Sequence, residues 1–214
     1  MSLRSNPRAL LVGTRNAGKL SEIQTILGDV PWRIRSLAEF ADVGVPAETG
    51  DTYAANAIIK AQFYARATGI CALADDSGLE VEALGGAPGV FSARYAGAGA
   101  SDASRRTLLL SELVRVPVGE RKARFVCAVA IALPDETVLN VSEGTCDGAI
   151  IFEPRGTGGF GYDPLFVPDG FNETFAELSD SVKNELSHRA RALLKTREFL
   201  MSNAGAPPLE TSAT

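Results

Sequence analysis

Histidine is almost missing from this 214-residue chain, His188 being the only one. One imidazole cannot build a zinc centre, and the three cysteines do not make up the deficit. Cys71, Cys127 and Cys146 are far apart and form no Cys-x-x-Cys pair. Cys71 and Cys127 lie in apolar, strand-like runs and are expected to be small buried hydrophobes. Basic residues are also in deficit: 21 Lys+Arg against 26 Asp+Glu give a net charge of −5. That is the wrong sign for a protein that wraps nucleic acid by neutralising phosphates. No apolar run approaches the roughly 20 residues of a membrane helix, so no membrane partner is expected. The first seven residues hold no apolar signal core, and the expected location is the cytoplasm.

What is present is ordinary for a globular protein: 45% apolar and 22% charged residues. A disordered chain, a fibrous repeat and a coiled coil are thereby disfavoured. Residues 9–12 form an apolar run fit for a buried strand, followed by a polar loop over 14–19. Leu20, Ile23, Ile26 and Leu27 then recur at helical spacing until Gly28, Asp29 and Pro31 stop the helix. A second helix is expected over 52–68, closed by Gly69, and an apolar strand over 70–74 that ends in Asp75-Asp76-Ser77-Gly78. Leu108, Leu109 and Leu113 mark a third helix near 102–115. Residues 123–133 and 137–145 flank Pro134-Asp135-Glu136 and read as a hairpin. A glycine-rich loop follows at 156–161, and a last helix is expected over 181–202. Strands alternating with helices, then a hairpin, predict an α/β protein with a mixed central sheet flanked by helices. There is no internal repeat and no long linker. One domain over 1–203 is expected, with a flexible tail at 204–214.

Three glycine motifs carry the chemistry. Gly13-Thr14-Arg15-Asn16-Ala17-Gly18-Lys19 satisfies Gly-x-x-x-x-Gly-Lys between a strand and a helix, the context of a P-loop. Leu20 stands where a P-loop needs Ser or Thr to ligate magnesium. The phosphate-binding physics survives that objection, because backbone N–H groups at a helix start beside a lysine attract phosphate in any fold. Gly156-Thr157-Gly158-Gly159-Phe160-Gly161 matches Gly-x-Gly-x-x-Gly, but Pro154 before it and Pro164 after it contradict a dinucleotide-binding strand–helix unit. It is a loop that approaches a ligand closely, with Phe160 and Tyr162 as candidate stacking faces or core residues. Asp75 and Asp76 are adjacent carboxylates where open α/β sheets place their sites, or else turn formers before Gly78. Successive strand residues face opposite ways, so only one of the two should reach a ligand.

Taken in order, five motifs resemble the inosine/xanthosine triphosphate pyrophosphatase family over roughly residues 9–199. They are Thr14-x-Asn16-x-x-Lys19; Glu48-Thr49-Gly50 with Asn56-Ala57-x-x-Lys60-Ala61; Ala74-Asp75-Asp76-Ser77-Gly78-Leu79 with Gly85 to Tyr95; Gly158-Gly159-Phe160-Gly161-Tyr162-Asp163-Pro164; and Ser187-His188-Arg189-x-x-Ala192-Leu193. The resemblance implies an elongated fold of two lobes with the active site in the cleft between them, usually as a homodimer. It implies magnesium-dependent hydrolysis of ITP, dITP or XTP to the monophosphate and pyrophosphate. Asp76 is then the general base and a metal contact, and Glu48 a second metal-associated carboxylate. Thr14, Arg15, Asn16, Ala17, Gly18, Lys19 and Ser77 bind the nucleotide, with Lys60 adding positive charge. Phe160, Gly161, Tyr162, Asp163, Lys183, His188 and Arg189 surround base and sugar, and Arg94 is a further candidate. Ala55 departs from the pattern, since the family often carries glutamate before Asn56.

The residue types suit that chemistry. Water attacking the α-phosphorus needs a base for its proton and cations for the charge on the departing pyrophosphate. Phe160 offers a face to a purine. Arg189 and His188 can donate to a 6-oxo group, whereas a 6-amino group would set donor against donor. Two other readings stay open on the residues alone: a P-loop-like phosphohydrolase that releases orthophosphate, and a nucleotide-binding module without catalysis.

Overall fold

Leu10, Leu11 and Val12 are fully buried and make up the inner part of strand β1 (Arg8–Val12). The computed structural model describes residues 8–203; the N-terminal segment read for a signal and the tail expected at 204–214 lie outside the described residues. Helix α1 (Ala17–Leu27) follows β1 and buries Ile23 and Leu27. It leads to β2 (Trp32–Ser36), which pairs parallel with β1 from Arg8↔Trp32 to Val12↔Ser36. Helix α2 (Tyr53–Thr68) then crosses to β3 (Ala72–Val81), parallel to β1 on its other side. Parallel neighbours need such crossovers, which is why helices separate these three strands in sequence.

Helix α3 (Asp102–Glu112) precedes β4 (Lys122–Ala132) and β5 (Val138–Ile150). β4 and β5 are joined by a tight turn in which Leu133 N–H donates to Thr137 O at 2.9 Å, the hairpin that Pro134-Asp135-Glu136 predicts. Strand β6 (Phe166–Pro168) pairs antiparallel with β5. The sheet order is β2-β1-β3-β4-β5-β6, a mixed sheet as the alternation of elements predicts. Helices α4 (Asp180–Leu186) and α5 (His188–Ser202) end the described chain. No helix among the described residues is long and apolar enough to cross a membrane.

The described residues group into two compact units, neither of which is one continuous stretch. The first takes the chain up to Asp75, Ala128–Ser142, and the chain from Ala192 on; the second takes Asp76–Cys127 and Glu143–Arg191. Leu10, Leu11, Leu27, Leu37, Ala61 and Leu73 are fully buried in the first. The core of the second gathers Leu79, Val81, Leu109 and Leu113 around Phe125, Phe166 and Phe175. Ring centroids there are 4.7 Å apart for Phe125–Phe166 and 5.0 Å for Phe166–Phe175, within the range of favourable aromatic pairs.

Several elements differ from expectation for local reasons. Helix α1 begins at Ala17, so Ala17, Gly18 and Lys19 are its first turn and not a loop; Asn16 Oδ1 accepts the Lys19 N–H at 3.0 Å and caps it. β3 does not stop at the aspartates but runs ten residues through Asp75-Asp76-Ser77-Gly78, which removes the turn reading of that segment. The expected helix over 181–202 is two helices, broken at Ser187, whose backbone is extended and whose Oγ accepts the Ala190 N–H at 3.2 Å. Helix α3 ends three residues early, and β2 and β6 are strands where none was expected.

Candidate active site

In the first unit, β1 hands the chain to Gly13, whose N–H donates to Leu73 O on β3 at 2.7 Å. The Tyr64 ring lies where a Cβ on Gly13 would have to go, so only glycine permits this turn. Thr14 Oγ1 accepts the Asn16 N–H at 3.2 Å, and Asn16 in turn caps α1. Thr14, Asn16 and Lys19 are thus the residues that shape a helix N-terminus, where backbone N–H groups and the helix dipole favour an anion. Lys19 Nζ lies 2.9 Å from Asp75 Oδ2, and the Asp75 side chain is 1% exposed. Arg15 is exposed and donates to Val43 O at 2.5 Å.

The same unit holds a second pair. Lys60, on the buried face of α2, donates to Glu48 Oε1 at 2.8 Å. Fully buried Asn56 accepts the Gly50 N–H at 2.8 Å, which fixes the chain just after Glu48. Ala55 packs where a side chain on Gly50 would sit, so the departure at this position falls beside that turn.

In the second unit, Asp76 is 6% exposed within β3. Its neighbour Ser77 accepts from Arg189 Nη2 at 2.9 Å. Asp163 Oδ2 accepts both the Phe160 N–H at 2.9 Å and Lys183 Nζ at 2.7 Å. Gly159 has φ +67°, and a Cβ there would collide with the Asp163 carboxylate, so the loop's glycines are needed for this close return. Lys183 Nζ lies 4.8 Å and Arg189 Cζ 5.5 Å from the Phe160 ring centre, so two cations lie within cation–π reach of one ring. His188 is buried and stacked on Phe125, centroids 4.6 Å apart and planes 11° off parallel. A histidine on a solvated face of a terminal helix is therefore ruled out.

Buried charges are costly. Moving each ion of a pair out of water costs several kcal/mol, and the pair is weak evidence for stability. Lys183, Asp163, Arg189 and Asp76 are all at least nine-tenths buried.

The model of the Ham1 family matches residues 10–199. The chain belongs to the Ham1 family. It is 47% identical over 196 residues to the dITP/XTP pyrophosphatase of Exiguobacterium sibiricum, covering 92% of this chain and 98% of that protein. A HAM1 protein structure from Coxiella burnetii superposes with a TM-score of 0.83 at 41% identity, covering 91% of this chain and 99% of that one. The Staphylococcus aureus Ham1 protein gives 0.79 at 37% identity, covering 92% and 100%.

Within this Ham1 chain, Phe160, Asp163, Lys183, Arg189 and Ser77 form one connected cluster. Lys19 joins Asp75, and Lys60 joins Glu48. Tyr162 does not offer a stacking face: its ring belongs to the hydrophobic core, and its hydroxyl donates to Ser92 O at 3.0 Å. Arg94 lies over the exposed Phe91 ring, 5.0 Å from its centre. Two residues escaped the sequence reading. Asp102 Oδ2 accepts the Gly161 N–H, and Arg106 donates to Gly161 O, each at 2.7 Å.

Proposed function

We propose that this Ham1 protein hydrolyses non-standard purine nucleoside triphosphates, dITP, ITP and XTP, to the monophosphate and pyrophosphate. That removes them from the nucleotide pool before they enter DNA or RNA. The observation that carries the reading is the Phe160 ring with the cations Lys183 and Arg189 beside it, on a chain whose His188, next in sequence to Arg189, is also buried. The ring takes the purine face, and Arg189 and His188 donate to a 6-oxo group that adenine lacks. The names of the relatives give dITP and XTP among these substrates.

The triphosphate is assigned to the start of α1, where the helix dipole, the Gly18 backbone and the Lys19 ammonium attract an anion; the Asn16 and Lys19 N–H groups are already taken by Thr14 Oγ1 and Asn16 Oδ1. Asp75 holds Lys19 in place. Lys60, kept by Glu48, adds charge. Asp76 takes the proton of the water that attacks the α-phosphorus. Glu48 in the first unit and Asp76 in the second each carry hard carboxylate oxygens, the donor type that Mg²⁺ takes along with substrate phosphates. When bound, that ion would spread the negative charge of the departing pyrophosphate. Because the chain passes repeatedly between the two units, residues 8–203 are read as one catalytic domain. The protein is read as a cytoplasmic homodimer.

The test is to incubate the protein with ITP, XTP, GTP or ATP plus magnesium and identify the phosphate product. Pyrophosphate from ITP and XTP, with little turnover of ATP, is expected. Orthophosphate from ATP or GTP would overturn the reading in favour of a P-loop-like hydrolase.

A further inference from the structure

Gly161 is held through both of its backbone groups by one turn of helix α3. Its N–H donates to Asp102 Oδ2 at 2.7 Å, and its carbonyl accepts from Arg106 Nη1 at 2.7 Å. Asp102 is the first residue of α3, after the cap Ser101, and Arg106 lies one turn on, so the two side chains share a face. An acidic residue in a helix's first turn is favoured by the dipole, which helps keep this carboxylate charged. Its other oxygen takes an ion pair from Arg105. Arg105 in turn donates to Ala93 O at 2.9 Å and Ala100 O at 2.6 Å. Burial pushes the Asp102 carboxyl up, but the Gly161 N–H and Arg105 outweigh it and hold the group below its usual range. The clamp is therefore ionised at neutral pH.

Gly161 directly follows Phe160, and Asp163 takes the Phe160 N–H on the other side. The aromatic residue thus sits between two sets of charge-assisted bonds, one from Asp163 and one from α3. A glycine-rich loop with positive φ at Gly159 and Gly161 has many alternative conformations to lose. Without a fixed backbone, the Phe160 ring would pay that ordering cost on each binding event.

We infer that Asp102 and Arg106 are positioning residues that preorganise the Phe160 loop for the purine base. They touch neither phosphate nor base in this role; they act through Gly161. The inference rests on Phe160 being the purine platform.

The experiment compares D102A, D102N and R106M with the parent, each checked for a cooperative thermal transition. Three quantities are read: KM and kcat for ITP, and Ki for inorganic tripolyphosphate, which has no base. Losing one charge-assisted bond predicts an ITP KM raised about tenfold in D102A and in R106M. Both kcat and the tripolyphosphate Ki should stay within about twofold. D102N keeps an oxygen for the Gly161 N–H and should recover most of the affinity. In an F160A background, D102A should add less than about a further twofold, because the residue it positions is gone. A tripolyphosphate Ki that rises in step with KM, or full additivity with F160A, would overturn the clamp. So would an unchanged KM in D102A and R106M while F160A raises it. If F160A itself leaves the ITP KM unchanged, the platform reading falls and the inference with it.

Discussion

Lys183 Nζ lies 2.7 Å from Asp163 Oδ2, and each side chain is 5% exposed. Asp163 spends the same oxygen on the Phe160 N–H. The pair therefore ties α4 to the aromatic loop as well as neutralising two buried charges. Removing one partner strands the other: Lys183→Met is expected to cost about 3–5 kcal/mol, read as a lowered midpoint in urea. Lys183→Met with Asp163→Leu removes both charges and should recover most of that stability. ITP affinity should stay low in the double variant, because the Phe160 N–H has lost its acceptor. Recovery of both quantities would show the pair to be structural only.

Asp76→Asn keeps the side-chain volume and a polar group at a position 6% exposed, so the fold should hold. The amide cannot take a proton from water. General-base assistance is worth about 10²–10⁴ in rate, and turnover of ITP should fall by at least that range. Nucleotide binding, measured by calorimetry, should remain measurable. Retained turnover would remove Asp76 from its role.

Much of the fold was legible because the signals were local. Thr52 caps α2 by accepting the Ala55 N–H, and Gly69 closes it at φ +68°, as the flanking residues predict. The hairpin followed from Pro134-Asp135-Glu136 for the same reason. Asp75 and Asp76 were harder. Their turn-forming chemistry points to a strand end, but Leu79 and Val81 are buried in the second core and Lys19 neutralises Asp75, so β3 continues through them. Tertiary packing overrode propensity there. The break at Ser187 was hidden because the apolar spacing continues across it, although Ser187 before Ala190 is a capping signal. The alternation Trp32-Arg33-Ile34-Arg35 was a readable strand signal, whereas the three residues of β6 were too short to show one.

In the candidate site, residue types were legible and orientations were not. Phe160 and Tyr162 look alike two positions apart, yet one ring lies beside Lys183 and Arg189 and the other is in the core. Asp102 and Arg106 read as an ordinary solvated helix face, because nothing in their spacing names Gly161 as the target.

Cys71 is only half-buried, against expectation, whereas Cys127 and Cys146 are buried, and desolvation governs the thiols. Desolvation pushes Cys71 up to about 12, against a smaller opposing effect of Arg8, and Cys146 up to about 11. Both shifts are upward, so the thiolate appears only in strong alkali and the nucleophilic form is scarce at pH 8. Cys127 is fully buried. Iodoacetamide at pH 8 should leave the native protein unmodified by intact-mass measurement and should modify all three cysteines in urea. Rapid native labelling of Cys71 or Cys146 would contradict this.

Glu48 commits Oε1 to Lys60 at 2.8 Å, while its side chain keeps 26% of its surface exposed. One carboxylate thus anchors a buried cation while part of its surface stays open to solvent. Glu48→Gln removes the negative charge. Lys60 then lies buried beside a neutral amide, which weakens its hold through lost charge more than lost shape. If Glu48 serves the metal, the magnesium concentration for half-maximal ITP hydrolysis should rise several-fold in this variant, while kcat at saturating magnesium stays within about tenfold of the parent. Lys60→Gln should instead raise the KM for ITP and leave the magnesium midpoint within about twofold. A magnesium midpoint unmoved by Glu48→Gln would confine Glu48 to holding Lys60.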